Sequence, residues 1–150
     1  MTTLYHELTT DPEELGYAPL IAAGSHNRVA EMLNRPRYAA LGTIGIAQAL
    51  IWMAKHGILA RLRAAVQGND PTIASIAEVA TMLVSNPNIA EIDLGLTDVQ
   101  TMLSSLVAAG VIPQTAEDEL LAAAMVQRSR AEILFGRSVS VDEVSEVLNE

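Results

Sequence analysis

Along residues 43–66, apolar side chains recur at spacings of three and four: Ile44, Ala47, Ile51, Ala54, Ile58, Leu62 and Ala65. This is the periodicity of one face of an α-helix. Ile46, Leu50, Met53 and Leu59 widen that face until the first half of the segment is apolar nearly all round, which predicts a long central helix surrounded by others. Gly68-Asn69-Asp70-Pro71 closes it, and Gly57 lies inside it as a bend or a point of close approach. Beyond Pro71 the helical spacing resumes at Ile73, Ile76, Ala77, Ala80, Leu83 and Val84, with Asp70 as the N-cap. The stretch PNIAEIDLGL lacks the alternation of a strand and reads as a connector. Thr97, with Gln100 three residues later, has the form of a capping box. The helix it opens is ended by Gly110 in a left-handed turn. Thr115 begins a further helix running to Phe135, ahead of Gly136, and Ser140 caps a last one, VDEVSEVLNE.

The first third of the chain is different. Asp11-Pro12, Pro19, Gly24 and Pro36 interrupt it, and each tends to stop or redirect a helix. Three short helices fit between them, at about Thr3–Thr9, Pro12–Ala23 and His26–Leu33, with Asp11 and Ser25 as N-caps. Helices this short need a surface to lie on. The expected architecture is therefore all-α: a compact helical bundle over residues 37–150, built around the long central hydrophobic helix, preceded by a segment of short helices over residues 1–36. That segment carries Leu15, Tyr17, Leu20, Ile21, Val29, Met32 and Leu33. Two uses of this apolar set stand side by side: docking onto a neighbouring subunit, or packing back onto the segment's own bundle.

Composition sharpens this picture. Half the residues are apolar but only five are aromatic (Tyr5, Tyr17, Tyr38, Trp52, Phe135), so the core must be built from Ala, Leu, Ile, Val and Met, which favours close helix packing. The formal charge of −9 argues against a phosphate-binding surface, and no nucleic-acid partner is expected. Residues 36–67 contain Arg37, Lys55, Arg61 and Arg63 and no acid, whereas residues 68–150 carry thirteen acids against Arg128, Arg130 and Arg137. The favoured reading is mutual attraction within the fold, and the other is two surfaces for different partners. No cysteine is present, so neither a disulfide framework nor a thiolate metal site can form. The N-terminus lacks a basic region followed by an apolar run, and no signal peptide is expected. The apolar run at residues 41–54 is well short of the roughly 20 residues a membrane-spanning helix needs, so a buried helix is expected and no membrane partner.

Candidate chemistry is sparse. His6, His26 and His56 lie twenty and thirty residues apart, and no HExxH pairing places two imidazoles on one helical face. The adjacent acids Glu13-Glu14 and Asp118-Glu119 point about 100° apart on a helix and sit in first turns, where the backbone dipole accounts for them. Ser104-Ser105, Ser129 and Ser138 lie in no GxSxG context. Gly42 and Gly45 lack the third glycine or the Lys-Ser/Thr of a phosphate loop. The expectation is no enzyme: no catalytic residues, no metal, no cofactor and no small-molecule substrate. Trp52, the one tryptophan, sits between Gln48 and Lys55 on a mixed strip of the central helix. It is either a partly buried core side chain or, given the preference of tryptophan for interface centres, a subunit contact.

Three stretches taken in order resemble a family of small helical proteins of tailed bacteriophages. TDPEELGYA followed by EMLN resembles its opening; LVAAGVIPQTAEDELLAAA resembles its helix-turn-helix; SRAEILFGRSVSVDEVSEVL resembles its closing segment. The residues between Ala18 and Leu33 are less acidic than the family pattern, the basic hydrophobic centre is unusual for it, and the resemblance does not extend to the middle helix. The resemblance implies a virion component, of head, neck or tail, assembled in the bacterial cytoplasm. Its expected partners are other virion proteins or further copies of itself, met through Leu15, Tyr17, Leu20, Ile21, Val29, Met32, Leu33 and Trp52. The alternative is an intracellular adaptor or inhibitor whose acidic surface binds a basic host or phage protein.

Overall fold

The structure is a computed structural model and describes residues 3–149. In chain order the elements are α1 (Leu4–Thr10), α2 (Tyr17–Ala22), α3 (His26–Asn34), β1 (Tyr38–Leu41), β2 (Thr43–Gly45), α4 (Ile46–Lys55), α5 (Ile58–Val66), α6 (Pro71–Ser85), β3 (Glu91–Asp93), α7 (Thr97–Ala108), α8 (Gln114–Ala124), β4 (Met125–Arg128), α9 (Arg130–Phe135) and α10 (Val141–Asn149). The chain is predominantly helical, as the periodicity predicts. Two small sheets accompany the helices, β1 paired with β4 and β2 with β3. It divides into two compact units: unit 1 holds the residues up to Ala39 together with those from Gln127 onward, and unit 2 spans Ala40–Val126. The division expected at residue 36/37 therefore misplaces the C-terminal segment, which shares a unit with the N-terminal helices.

In unit 1, the Thr3 hydroxyl accepts the His6 N–H at 3.2 Å and opens α1. The helix expected from Pro12 does not form. Asp11 ends α1 in a left-handed conformation (φ 41°), and its carboxylate accepts the N–H groups of Leu15 (2.7 Å), Gly16 (2.6 Å) and Tyr17 (3.3 Å). One carboxylate thus satisfies donors that a helix would otherwise have left open. Residues 12–16 form a turn, and α2 starts only at Tyr17, after Gly16 at φ 88°, where a side chain would be strained. Ser25 precedes α3 without a side-chain cap. Leu8, Tyr17, Val29, Ala30, Leu33, Ala131, Val139 and Val144 make the core, with Leu15, Leu20, Ile21 and Met32 packed against it. Asn34 ties α3 to the segment before α10, donating to the Val139 carbonyl at 2.7 Å and accepting its N–H at 2.9 Å. Ser140 caps α10 as expected, through the Glu143 N–H, and the Glu143 carboxylate takes the Ser140 N–H in return, a reciprocal capping box.

Unit 2 corrects the long central helix. Residues 43–66 are a strand and two helices: β2 pairs antiparallel with β3 (Thr43↔Asp93, Ile44↔Ile92, Gly45↔Glu91), α4 follows, and Gly57 at φ 64° separates it from α5. The apolar spacing runs through the break because α4 and α5 bury successive parts of it, Ala49, Trp52 and Met53 in one and Ile58 and Leu62 in the other. Asp70 caps α6 by accepting the Thr72 and Ile73 N–H groups. Thr97 does not cap α7; the Gln100 side chain instead donates to the Leu94 carbonyl at 2.9 Å. Gly110 adopts φ 75° past the end of α7, as expected. The helix expected to run on to Phe135 ends at Ala124. Residues 125–128 form β4, and Ser129 opens α9 with a capping box to Glu132.

Candidate interaction surface

Each predicted contact residue of the N-terminal segment has a place inside the chain. Tyr17, Val29 and Leu33 are fully buried in unit 1, and Leu15, Leu20, Ile21 and Met32 are half-buried against the same core. Side chains of α1, α9 and α10 share this core, so Tyr17, Val29 and Leu33 are withdrawn from the surface and the other four keep only part of theirs. Trp52 is likewise interior: it is 7% exposed, and its indole N–H donates to the Ala116 carbonyl oxygen at 2.8 Å. The donor that suits tryptophan to interfaces is occupied within unit 2.

Unit 1 also contains a buried ion pair. The Glu7 carboxylate has no solvent exposure and receives Arg130 in a forked contact, Nε to Oε1 at 2.8 Å and Nη2 to Oε2 at 3.0 Å. The Tyr17 hydroxyl donates to Glu7 at a long 3.5 Å, and Glu13 lies 3.4 Å from Arg130. Burial first, then the negative charge of Glu7, pushes the Tyr17 hydroxyl well above the ordinary phenol range. The hydrogen bond to Glu7 raises Arg130 further above its ordinary value. These groups hold a guanidinium charged and a phenol neutral, a structural clamp between α1 and α9.

The charge segregation of the sequence is partly resolved inside unit 2. Lys55 reaches Glu119 at 2.6 Å, and His56 Nε2 lies 2.7 Å from the other oxygen of the same carboxylate. The Lys55 contact, followed by that of His56, holds the Glu119 carboxyl below its ordinary range. Among the described residues Arg61 and Arg63 form no salt bridge. No three His, Cys, Asp or Glu side chains converge among the described residues, and no described helix is long and apolar enough to cross a membrane.

The feature that the sequence pattern misjudges is the outer face of α4. Its apolar residues all round predict a helix enclosed by others, yet only the Ala49, Trp52 and Met53 side is sealed. Ala47, Leu50, Ile51 and Ala54, spaced as one helical face, are exposed, and Ile51 is 72% exposed. A second apolar site lies on α6, where Met82 is 64% exposed and, with Val79, Leu83, Pro87 and Ile89, lines a shallow groove. Scattered apolar residues are ordinary on a protein surface, but contiguous ones mark contact sites. The chain matches no protein family, no curated protein and no solved structure.

Proposed function

We propose that this chain is a non-enzymatic structural protein of a tailed-phage particle, in head, neck or tail, acting through contacts with other virion proteins or further copies of itself. The observation that supports it is the outer face of α4: Leu50 and Ile51 project from a helix whose other side is packed core, a surface whose burial against a neighbour is favourable at about 25 cal/mol per Å² of apolar area. The resemblance of TDPEELGYA, LVAAGVIPQTAEDELLAAA and SRAEILFG to small helical phage proteins supports the setting. Contact is carried by α4 in place of the N-terminal segment, whose apolar residues serve their own unit. Mass spectrometry of purified virions tests the reading, with this chain expected at a fixed copy number. Ile51→Asp is expected to leave the isolated chain folded and to reduce its incorporation into particles.

A second reading, an intracellular adaptor or inhibitor, is favoured by the thirteen acids after residue 68. It predicts a partner lost steeply with added salt, and absence of the chain from virions would select it.

A further inference from the structure

Unit 2 holds an apolar cavity of about 60 Å³ that is partly open to solvent. Ile44, Trp52, Met53 and Leu103 form part of its buried wall, and the half-buried Leu83 and Met102 part of the side nearer solvent. The lining side chains are all apolar except for the indole N–H of Trp52, and that donor is committed to the Ala116 carbonyl oxygen. Among the described residues no buried side-chain nitrogen or oxygen lacks a partner. A water molecule in a buried site needs two to four polar partners, and these side chains offer none, so the void favours an apolar occupant over an ordered water. Atoms facing it forgo dispersion contacts that a guest of the right size would restore.

We infer that this void is a binding site for a small apolar guest, a saturated or halogenated hydrocarbon smaller than benzene or a single xenon atom, recognised by shape alone. The size limit follows from volume: an apolar protein cavity of about 150 Å³ accommodates benzene, and about 10–15 Å³ is enough for a single water-sized sphere. The void lies between the two. Met53 and Met102, unbranched and polarisable, supply the part of the wall best able to adapt to an occupant. The inference is independent of any role in a particle.

Xenon is the probe, applied at increasing pressure to the full chain carrying labelled Ile and Met methyl groups and followed by NMR. Shift changes that saturate at Ile44, Met53 and Met102, with only weak linear drift at the exposed Ile51 and Met82, are expected, and benzene should produce no such change. Val84→Ile, which adds a methylene to the lining, should abolish the saturable component while the rest of the spectrum persists. Leu103→Ala, which enlarges the void, should confer benzene binding on the chain. Non-saturating shifts in the native chain, equal changes at Ile51 and Met82, or saturation that survives Val84→Ile in a folded protein would overturn the assignment. Failure of Leu103→Ala to take up benzene while native-like would do the same for the size limit.

Discussion

Removing either partner of the Glu7–Arg130 pair is expected to destabilise unit 1 strongly and unequally. Glu7 is fully buried and the Arg130 side chain is 13% exposed, so each charge relies on the other in place of water. Breaking such a pair by deleting one partner costs about 3–5 kcal/mol, because the remaining charge is left uncompensated. The two deletions are not equivalent. Without Glu7, Arg130 keeps Glu13 at 3.4 Å and some solvent; without Arg130, Glu7 keeps only the long 3.5 Å contact with the Tyr17 hydroxyl. Arg130→Met should therefore fall near the top of that range and Glu7→Leu near the bottom. Glu7→Leu with Arg130→Met, which leaves no buried charge, should recover much of the loss, since an apolar replacement of a buried pair is often neutral. The assay is urea unfolding followed by far-UV circular dichroism, with hydrogen exchange of the α1, α3 and α9 amides to localise the effect; Trp52 fluorescence reports unit 2 alone. A loss below about 1 kcal/mol for Arg130→Met, the range of an exposed pair, would refute the reasoning. So would single losses that simply add in the double variant, because neighbouring partners must couple.

Three further outcomes follow from local geometry. Gly57→Ala places a side chain in a left-handed conformation with open space around it, so strain alone should lower unfolding stability by about 1–2 kcal/mol, measurable by urea titration. At Gly95 a Cβ would meet the Leu41 carbonyl oxygen at 2.9 Å, whereas at Gly45 it would meet nothing within 4 Å; Gly95→Ala should depress the melting temperature and Gly45→Ala should leave it nearly unchanged, a contrast read by calorimetry. Arg137, and after it the Ser140 N–H, holds the Glu143 carboxyl down to about 2, so its contribution to stability is present above the ordinary carboxylate value of about 4.5 and is lost as pH falls through about 2. A carbon-detected NMR titration should show this midpoint in the native chain and a higher one in Arg137→Ala.

The proposed role in a phage particle is open to a direct contrast. If α4 carries the contact, Ile51→Asp should reduce incorporation into particles more than Glu31→Ala, which alters only an exposed pair with Arg35. Quantitative mass spectrometry of particles assembled with each variant measures it, and equal incorporation would remove α4 from the interface.

What the sequence determined by itself is local. Asp70, Ser140, Gly110 and Gly136 mark helix ends where the structure has them, because a cap is satisfied by backbone groups within a few residues and needs no distant partner. The helical character of most segments follows from the same short-range spacing. Even the break after β4 was written locally, in Ser129 and Glu132, whose capping box could have divided the helix expected to run from Thr115 to Phe135. Tertiary structure decided the rest. Thr43–Gly45 and Glu91–Asp93 are strands because each supplies the other's hydrogen bonds across nearly fifty residues, and three-residue strands are too short to display an alternating pattern. Leu20, Ile21, Val29 and Leu33 carry an apolar surface whatever covers it, and only the return of the chain after residue 127 settles that unit 1 covers it itself. In the same way Leu50 and Ile51 read as core from their spacing, yet lie outside because no element of unit 2 packs over that face of α4. A hydrophobic pattern fixes which surfaces seek burial, and long-range packing selects which of them remain available to another molecule.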